Sequence, residues 1–159
     1  MAKKNKKNPN DLVSNKTARR NYTIIDSFEV GIELKGTEVK SLRARKATMT
    51  DSFARVETNN QVFLYNLHIS PYEQGNRFNH DPLRSRRLLL HKNEITRLKG
   101  KTDRKGMALI PLKLYLKNGK VKLELAVATG KVKFDKRDDI KKREHKRDIE
   151  REVSKMNRR

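Results

Sequence analysis

Three groups of cations carry the most chemistry in this chain. Lys16, Arg19 and Arg20 precede a long apolar alternation; Lys40, Arg43, Arg45 and Lys46 stand close together; Arg84, Arg86 and Arg87 lead into Leu88-Leu89-Leu90. Guanidinium and ammonium groups at this density bind phosphate, because each neutralised phosphate releases condensed counterions. A single charge run is usually a solvated face. Three of them on one small domain, with basic arms at both ends, are expected to wrap a folded polyanion. The whole chain agrees, with 40 Lys and Arg against 19 Asp and Glu and a formal net charge of +21. Such an excess exceeds what solubility asks for and points to nucleic acid.

Other chemistry finds little support. His68, His80, His91 and His145 have no metal-ligand spacing, and with no cysteine there is neither a zinc set nor a disulfide, so neither metal nor cofactor is expected. His80 or His91 could serve a small ribonuclease, but His80-Asp81 reads better as a polar loop before Pro82. No phosphate-binding glycine loop, nucleophile elbow or framed carboxylate pair occurs, so no enzyme is expected. No apolar run reaches the ~18 residues of a membrane span, and neither a span nor a signal segment is expected. A reducing, cytoplasmic location follows from the missing cysteines.

The elements that must position the cations are mostly strands. From Tyr22 to Leu34 the even positions read Tyr, Ile, Asp, Phe, Val, Ile, Leu, a long half-buried strand on one face, with Gly31 on the other as a bend. Leu112, Leu114 and Leu116 alternate with Lys113, Tyr115 and Lys117; Asn118-Gly119 suits a type I′ turn; Val121, Leu123, Leu125 and Val127 continue the return strand. A second hairpin is expected from Ser52–Glu57 to Val62–Ile69 across Asn59-Asn60. Short helices are expected at Thr37–Ala44, capped by Thr37, and at Asn93–Lys99, stopping at Gly100. Pro71–Pro82 and Gly100–Gly106 read as loops. Many short strands without βαβ alternation predict an all-β-dominated domain over residues 15–130, a small OB-like closed antiparallel barrel with added short helices. Tyr22, Phe28 and Phe53 are assigned to its core. The sheet then lacks the stacking platforms of a single-strand reader, which favours recognition of folded RNA by shape and backbone.

Two arms flank this domain. Residues 1–14 are expected to be a disordered basic leader. Residues 131–159 carry 13 Lys and Arg and 7 Asp and Glu with no Gly or Pro. Their apolar residues are too few for a core, yet Asp138/Lys142, Asp139/Arg143 and Lys146/Glu150 are favourable helical pairs. Such a tail is expected to be disordered when free and helical against a polyanion.

The same residues resemble the SsrA-binding protein (SmpB) family, the partners of transfer-messenger RNA in bacterial ribosome rescue. The similarity runs from Asn15 to Arg143 through NKTARRNY (Asn15–Tyr22), FEVGIELKGTEVKSLRA (Phe28–Ala44), HISPY (His68–Tyr72), HDPLRSRRLLLHKNEI (His80–Ile95), LIPLKLYLKNGKVKLELAVATGK (Leu109–Lys131) and FDKRDDIKKRE (Phe134–Glu144). The resemblance implies an adaptor that binds the tRNA-like domain of transfer-messenger RNA and delivers it, with no membrane involved and as a monomer, to the vacant A site of a stalled ribosome. The tail then becomes a helix in the empty mRNA channel near the decoding centre. It implies RNA-binding roles for Glu29, Leu89 and His91. With the cations of these blocks the expected RNA-binding set is Lys16, Arg19, Arg20, Tyr22, Glu29, Arg43, Arg86, Arg87, Leu89 and His91. The expected ribosome-facing set is Lys131, Phe134, Asp135, Lys136, Arg137, Lys141, Lys142 and Arg143. Three positions depart from the family pattern: Phe134 replaces the usual His or Tyr, Val132 a usual Lys, and Arg45 the Gly that commonly follows SLRA, so a locally different helix end is expected there.

Overall fold

The computed structural model describes residues 9–75, 79–131 and 133–156. These fall into two units, one of them Pro9–Gly130 and the other containing the tail. In chain order the first unit holds β1 (Asp11–Ser14), α1 (Ala18–Asn21), β2 (Tyr22–Ile32), α2 (Gly36–Arg43), β3 (Ala47–Thr48), β4 (Phe53–Val56), β5 (Val62–Tyr65), β6 (His68–Ile69), β7 (Arg86–Leu89), α3 (Lys92–Thr102), β8 (Met107–Lys117) and β9 (Lys120–Gly130). The tail forms α4 (Lys133–Met156), and no described helix is long and apolar enough to cross a membrane. Seven strands pair in the order β1-β8-β4-β5-β7-β2-β9, and β8 also pairs with β9, so the circuit of pairings that leaves β8 returns to it. Strands β3 and β6 make a separate pair.

The paired sheet begins inside the stretch whose polarity suggests a disordered leader. Asp11–Ser14 are not disordered: they pair with Lys113–Tyr115 of β8, and Leu12 and Val13 are buried. Residues Met1–Asn8 and Val132 lie outside the described ones. Helix α3 does not stop at Gly100 but runs on to Thr102. Leu98 is fully buried, and Lys101 pairs with Asp26 and sits over the Phe28 ring, so the last turn is tied to β2 and the single glycine cannot end it.

Two bulges rearrange the faces of the long strands. Ile24 faces Ala128 and Asp26 faces Val127, leaving Ile25 as an extra residue in β2; Pro111 faces Leu125 and Lys113 faces Glu124, leaving Leu112 extra in β8. One inserted residue sends everything beyond it to the opposite face. The even positions of β2 therefore do not share one face. Phe28, Val30 and Ile32 join the main core with Leu114, Leu123 and Leu125. Tyr22 and Ile24 instead pack with Ala18, Ile110, Leu112, Ala126 and Ala128 in a second cluster on the other side, of which α1 is part. Leu112, expected beside Leu114, belongs to this second cluster. The sheet is thus buried on both faces at one end, which is why β8 and β9 read there as unbroken apolar runs.

The turns follow local chemistry. Asn118 and Gly119 both have positive φ, 51° and 75°, as a type I′ hairpin requires. Helix α2 begins one residue earlier than expected: Lys35 occupies the cap position and its amide donates to Glu38 Oε2 at 2.7 Å, while the Thr37 hydroxyl turns to His80. At its other end Arg45 donates its amide to Leu42 and Lys46 to Ser41, the paired bonds of a Schellman ending, with Arg45 at φ 58°. The helix thus ends on a non-glycine residue held in the left-handed region, a conformation that costs arginine strain.

A buried ion cluster locks α2 against β7. Glu38 is fully buried; Arg84 donates to it as a fork at 2.9 and 2.6 Å, and the equally buried Arg86 donates at 2.8 Å. The remaining N–H groups of Arg86 reach the carbonyls of Leu67, Arg84 and Pro82. Burial alone would raise the Glu38 carboxyl, but the Arg84 fork, the Lys35 amide and the charges of Arg86 and Arg84 hold it below its ordinary value.

Two outcomes follow from this geometry. Arg45→Gly should stabilise the fold by up to about 1 kcal/mol in urea denaturation, since it relieves a left-handed non-glycine residue. Glu38→Gln should cost about 3–5 kcal/mol, because two guanidiniums lose their buried counter-charge. The lowered carboxyl also sets a pH window. Its stabilisation is complete above the unfolded value of 4.5 and is lost as pH falls through the lower folded value, so acid denaturation of wild type should steepen below pH 4.5 while Glu38→Gln lacks that component.

Candidate nucleic-acid interface

On the outer face of the β2–β9–β8 ribbon, beyond the bulges, the second cluster gives way to polar side chains. Glu29 of β2 reaches across β9 to β8: its Oε2 accepts from the Tyr115 hydroxyl at 2.5 Å, and Lys117 Nζ donates to Oε1 and Oε2 at 2.8 and 2.9 Å. The Lys117 bond, then the Tyr115 bond, hold the Glu29 carboxyl below its ordinary value despite some desolvation. Burial first, then the Glu29 hydrogen bond and charge, push the Tyr115 phenol well up, so it stays protonated as the donor. Lys113 Nζ lies 5.2 Å from the centre of the Tyr115 ring and within 4 Å of both Asp11 and Glu124.

The neighbouring strand extends this surface. Gly31, two residues beyond Glu29, pairs with Leu89 of β7, and a Cβ at Gly31 would come within 3.0 Å of the Leu89 Cβ. Gly31 is therefore a site of close approach rather than a bend. Leu89 lies across it, yet remains 48% exposed, unusual for leucine unless something else covers it. Two residues back, Arg87 points outward and pairs with Glu33 at 3.0 Å. Two residues on, His91 is exposed at the cap of α3, its amide donating to Glu94 at 2.8 Å. Strand β2, strand β7 and the start of α3 thus bring Glu29, Arg87, Leu89 and His91 onto one strip, with a cavity of about 360 Å³ lined by Gln61, Arg87, Leu89, His91 and Ile95.

The N-terminal cations stand elsewhere, at the far end of β2. Asn15 is buried and fixes them: its Nδ2 donates to Pro111, while its Oδ1 accepts from the Ala18 amide and the Thr17 hydroxyl. This seats α1 on β8 and leaves Lys16, Arg19 and Arg20 on the surface. Tyr22 lies half-buried beside them, facing Gly130 across β2–β9 and lining a cavity of about 580 Å³ between β4 and β8. Seven residues of strand, roughly 23 Å, separate Tyr22 from Glu29.

Two expectations are corrected here. Arg86 is fully buried in the Glu38 cluster and is a structural residue, not a surface for RNA; alternation in β7 gives its neighbours Arg87 and Leu89 to solvent instead. Phe53 is not in the core: it is 41% exposed and stacks on Tyr65 with ring centroids 5.4 Å apart, one small aromatic face on β4–β5. Arg43 is exposed in the last turn of α2. Lys131 follows Gly130, Lys141 is exposed on α4, and Phe134, Asp135, Lys136, Arg137, Lys142 and Arg143 belong to α4 with side chains outside the described ones.

Sequence reasoning did not single out Tyr115 and Lys117. Their outward parity was legible, but their link to Glu29 depends on the three-strand register. The described residues include no group of three His, Asp or Glu side chains able to hold a metal. His80 is buried and both ring nitrogens are engaged: Nε2 donates to the Ile69 carbonyl at 2.9 Å, which leaves Nδ1 to accept from Thr37. That arrangement removes it as a nuclease base.

Comparison with known proteins gives the same family by three routes. A family model described as SmpB protein matches residues 12–155. The SsrA-binding protein of Pelotomaculum thermopropionicum is 60% identical over 142 residues, covering 89% of this chain and 92% of that one. The SsrA-binding protein of Desulforamulus reducens is 61% identical over 141 residues, covering 88% and 87%. A chain of the solved structure "tmRNA-SmpB: a journey to the center of the bacterial ribosome" superposes with a TM-score of 0.65 at 49% identity, over 77% of this chain and 86% of that one. With a family match over most of its length and relatives this close, the chain belongs to the SmpB protein family.

Proposed function

We propose that this chain is a non-enzymatic RNA-binding adaptor of ribosome rescue. Its sheet closes as an OB-like barrel that grips the tRNA-like domain of transfer-messenger RNA (SsrA), and the complex enters the vacant A site of a stalled bacterial ribosome. The tail occupies the empty mRNA channel near the decoding centre of the small subunit. The protein acts in the cytoplasm as a monomer. Membership of a family whose relatives are named for SsrA binding supports the RNA partner, and a structural neighbour described with tmRNA and the ribosome supports the second.

The observation that carries the reading is the strip on which Glu29, Leu89 and His91 converge from β2, β7 and the cap of α3. An exposed leucine beside exposed cations suits the mixed apolar and anionic surface of a folded RNA better than it suits water. The N-terminal cluster is the second working end of the domain. Lys16, Arg19, Arg20 and Tyr22 stand at the strand end from which the chain passes through Gly130 to Lys131, and the tail's Phe134, Asp135, Lys136 and Arg137 come next.

In solution α4 should be loose, since a lone helix of this composition is marginal; Ile140, Ile149 and Val153 are all about half exposed and bury little to hold it. Hydrogen exchange of the free protein should show weak amide protection over 138–156 and strong protection when bound to a ribosome with an empty channel. Equal strong protection in both states would contradict this. A chain ending at Gly130 should keep its affinity for the tRNA-like domain in a gel shift but fail to support peptide tagging on stalled ribosomes. Phe134→Ala should impair tagging more than Phe134→His, because a ring that stacks on a base contributes roughly 1–3 kcal/mol and His keeps one. Loss of RNA affinity in parallel with tagging would make the tail part of the RNA clamp.

A further inference from the structure

We propose that Glu29 is a positioning residue whose carboxylate sets Tyr115 and Lys117 as a two-pronged site for the ribose–phosphate backbone of the bound RNA. In this site Lys117 takes a phosphate oxygen and the Tyr115 oxygen accepts from a ribose hydroxyl. The assignment rests on the adaptor reading above and adds the residues that make the contact.

The geometry gives each group one role. Both carboxylate oxygens of Glu29 already hold donors from the protein, so Glu29 is poorly placed to take further donors from a ligand. Tyr115 spends its only proton on Glu29, so its oxygen can meet a ligand solely as an acceptor. The donor that RNA backbone offers everywhere is the 2′-hydroxyl. Lys117 has three N–H groups and a side chain 53% exposed, leaving it donor capacity toward solvent. A separate observation points to an anion. Lys117 lies directly opposite Lys120, and Lys122 lies opposite Tyr115, so three ammonium groups gather at the end of the hairpin around the single carboxylate of Glu29. The one like-charge pair, Lys117 and Lys120, and the uncompensated positive charge left beside it become favourable when a phosphate sits among them. Lys113 over the Tyr115 ring occupies one of its faces, which leaves the phenolic edge rather than a free stacking platform.

Simple charge counting predicts that losing the carboxylate strengthens binding. The positioning role predicts the reverse. Binding of a transcribed tRNA-like domain to the full chain would be measured over a range of salt for wild type, Glu29→Gln, Tyr115→Phe, Lys117→Met and the Glu29→Gln/Tyr115→Phe pair, with thermal melts to confirm folding. Glu29→Gln and Tyr115→Phe should each weaken binding roughly tenfold, the scale of one charge-assisted hydrogen bond, and the double variant should be little worse than either. Lys117→Met should also lower the salt slope by ~0.7–0.9, one phosphate's worth, while Tyr115→Phe leaves the slope unchanged. Tyr115→Phe should weaken the RNA complex but not that of a DNA copy of the same sequence, which a general structural defect would weaken equally. Wild-type affinity or tighter in Glu29→Gln, independent losses in the double variant, or equal losses on RNA and DNA would overturn the assignment. Exposed Lys117 keeps the test open should the tyrosine variant fold poorly. If wild type itself fails to prefer this RNA over an unrelated hairpin of equal length, the adaptor reading falls instead.

Discussion

The buried carboxylate of Glu38 is the constraint on which the arrangement of the functional strip depends. A charge without water must be matched completely or the fold does not tolerate it. Here Arg84 and Arg86 match it, and the remaining guanidinium donors are spent on the Leu67, Pro82, Arg84, Ser85 and Glu33 carbonyls. Those carbonyls belong to the β5–β6 connection, the chain before β7, and the end of β2. One ion cluster therefore fixes where β7 begins. Because side chains alternate along a strand, fixing Arg86 inward fixes Arg87 and Leu89 outward, beside Gly31. The exposed leucine of the strip is thus a consequence of where a buried arginine must sit.

A second constraint comes from the bulges in β2 and β8. They let three long strands serve two cores, one on each side, and divide the outer face of the ribbon into an apolar half and a polar half. On β9 the division is visible along one line of side chains: Lys122 and Glu124, then Ala126 and Ala128. The polar half carries Glu29, Tyr115 and Lys117. The apolar half packs with Ala18 of α1, whose exposed side offers Arg19 and Arg20, with Lys16 just ahead of the helix.

Much of this was legible in the residues. Alternation marked β2, β8 and β9, and Asn118-Gly119 marked the turn between them. The charge balance named the class of partner, and ordered motifs named the family. What was not legible has common physical causes. A bulge is invisible to a period-two count, so Leu112 and the pair Tyr22 and Ile24 were given the wrong face. A buried ion pair looks like surface charge until its partner, some 46 to 48 residues away, is known, so Arg86 was read as an RNA contact. Phe53 follows a different cause: a large apolar residue was assigned inside by type, whereas its strand phase points it out onto Tyr65. The link from Glu29 to Tyr115 and Lys117 crosses 86 to 88 residues and an intervening strand, and only the register reveals it.

The double-sided ribbon also acts as a ruler. From Lys122 to Ala128 it sets the polar and the apolar half of its outer face apart by roughly 20 Å of paired backbone, a length that hydrogen-bonded strands cannot stretch. Its span is quantised, because removing one residue from any of the three strands would turn every later side chain over, and removing two from one strand would break its register with the others. Insertions can enter at the hairpin tip without touching the scale. The spacing between the polar and the apolar half of the ribbon is therefore written in strand length, and it can drift only in matched steps across β2, β8 and β9 together.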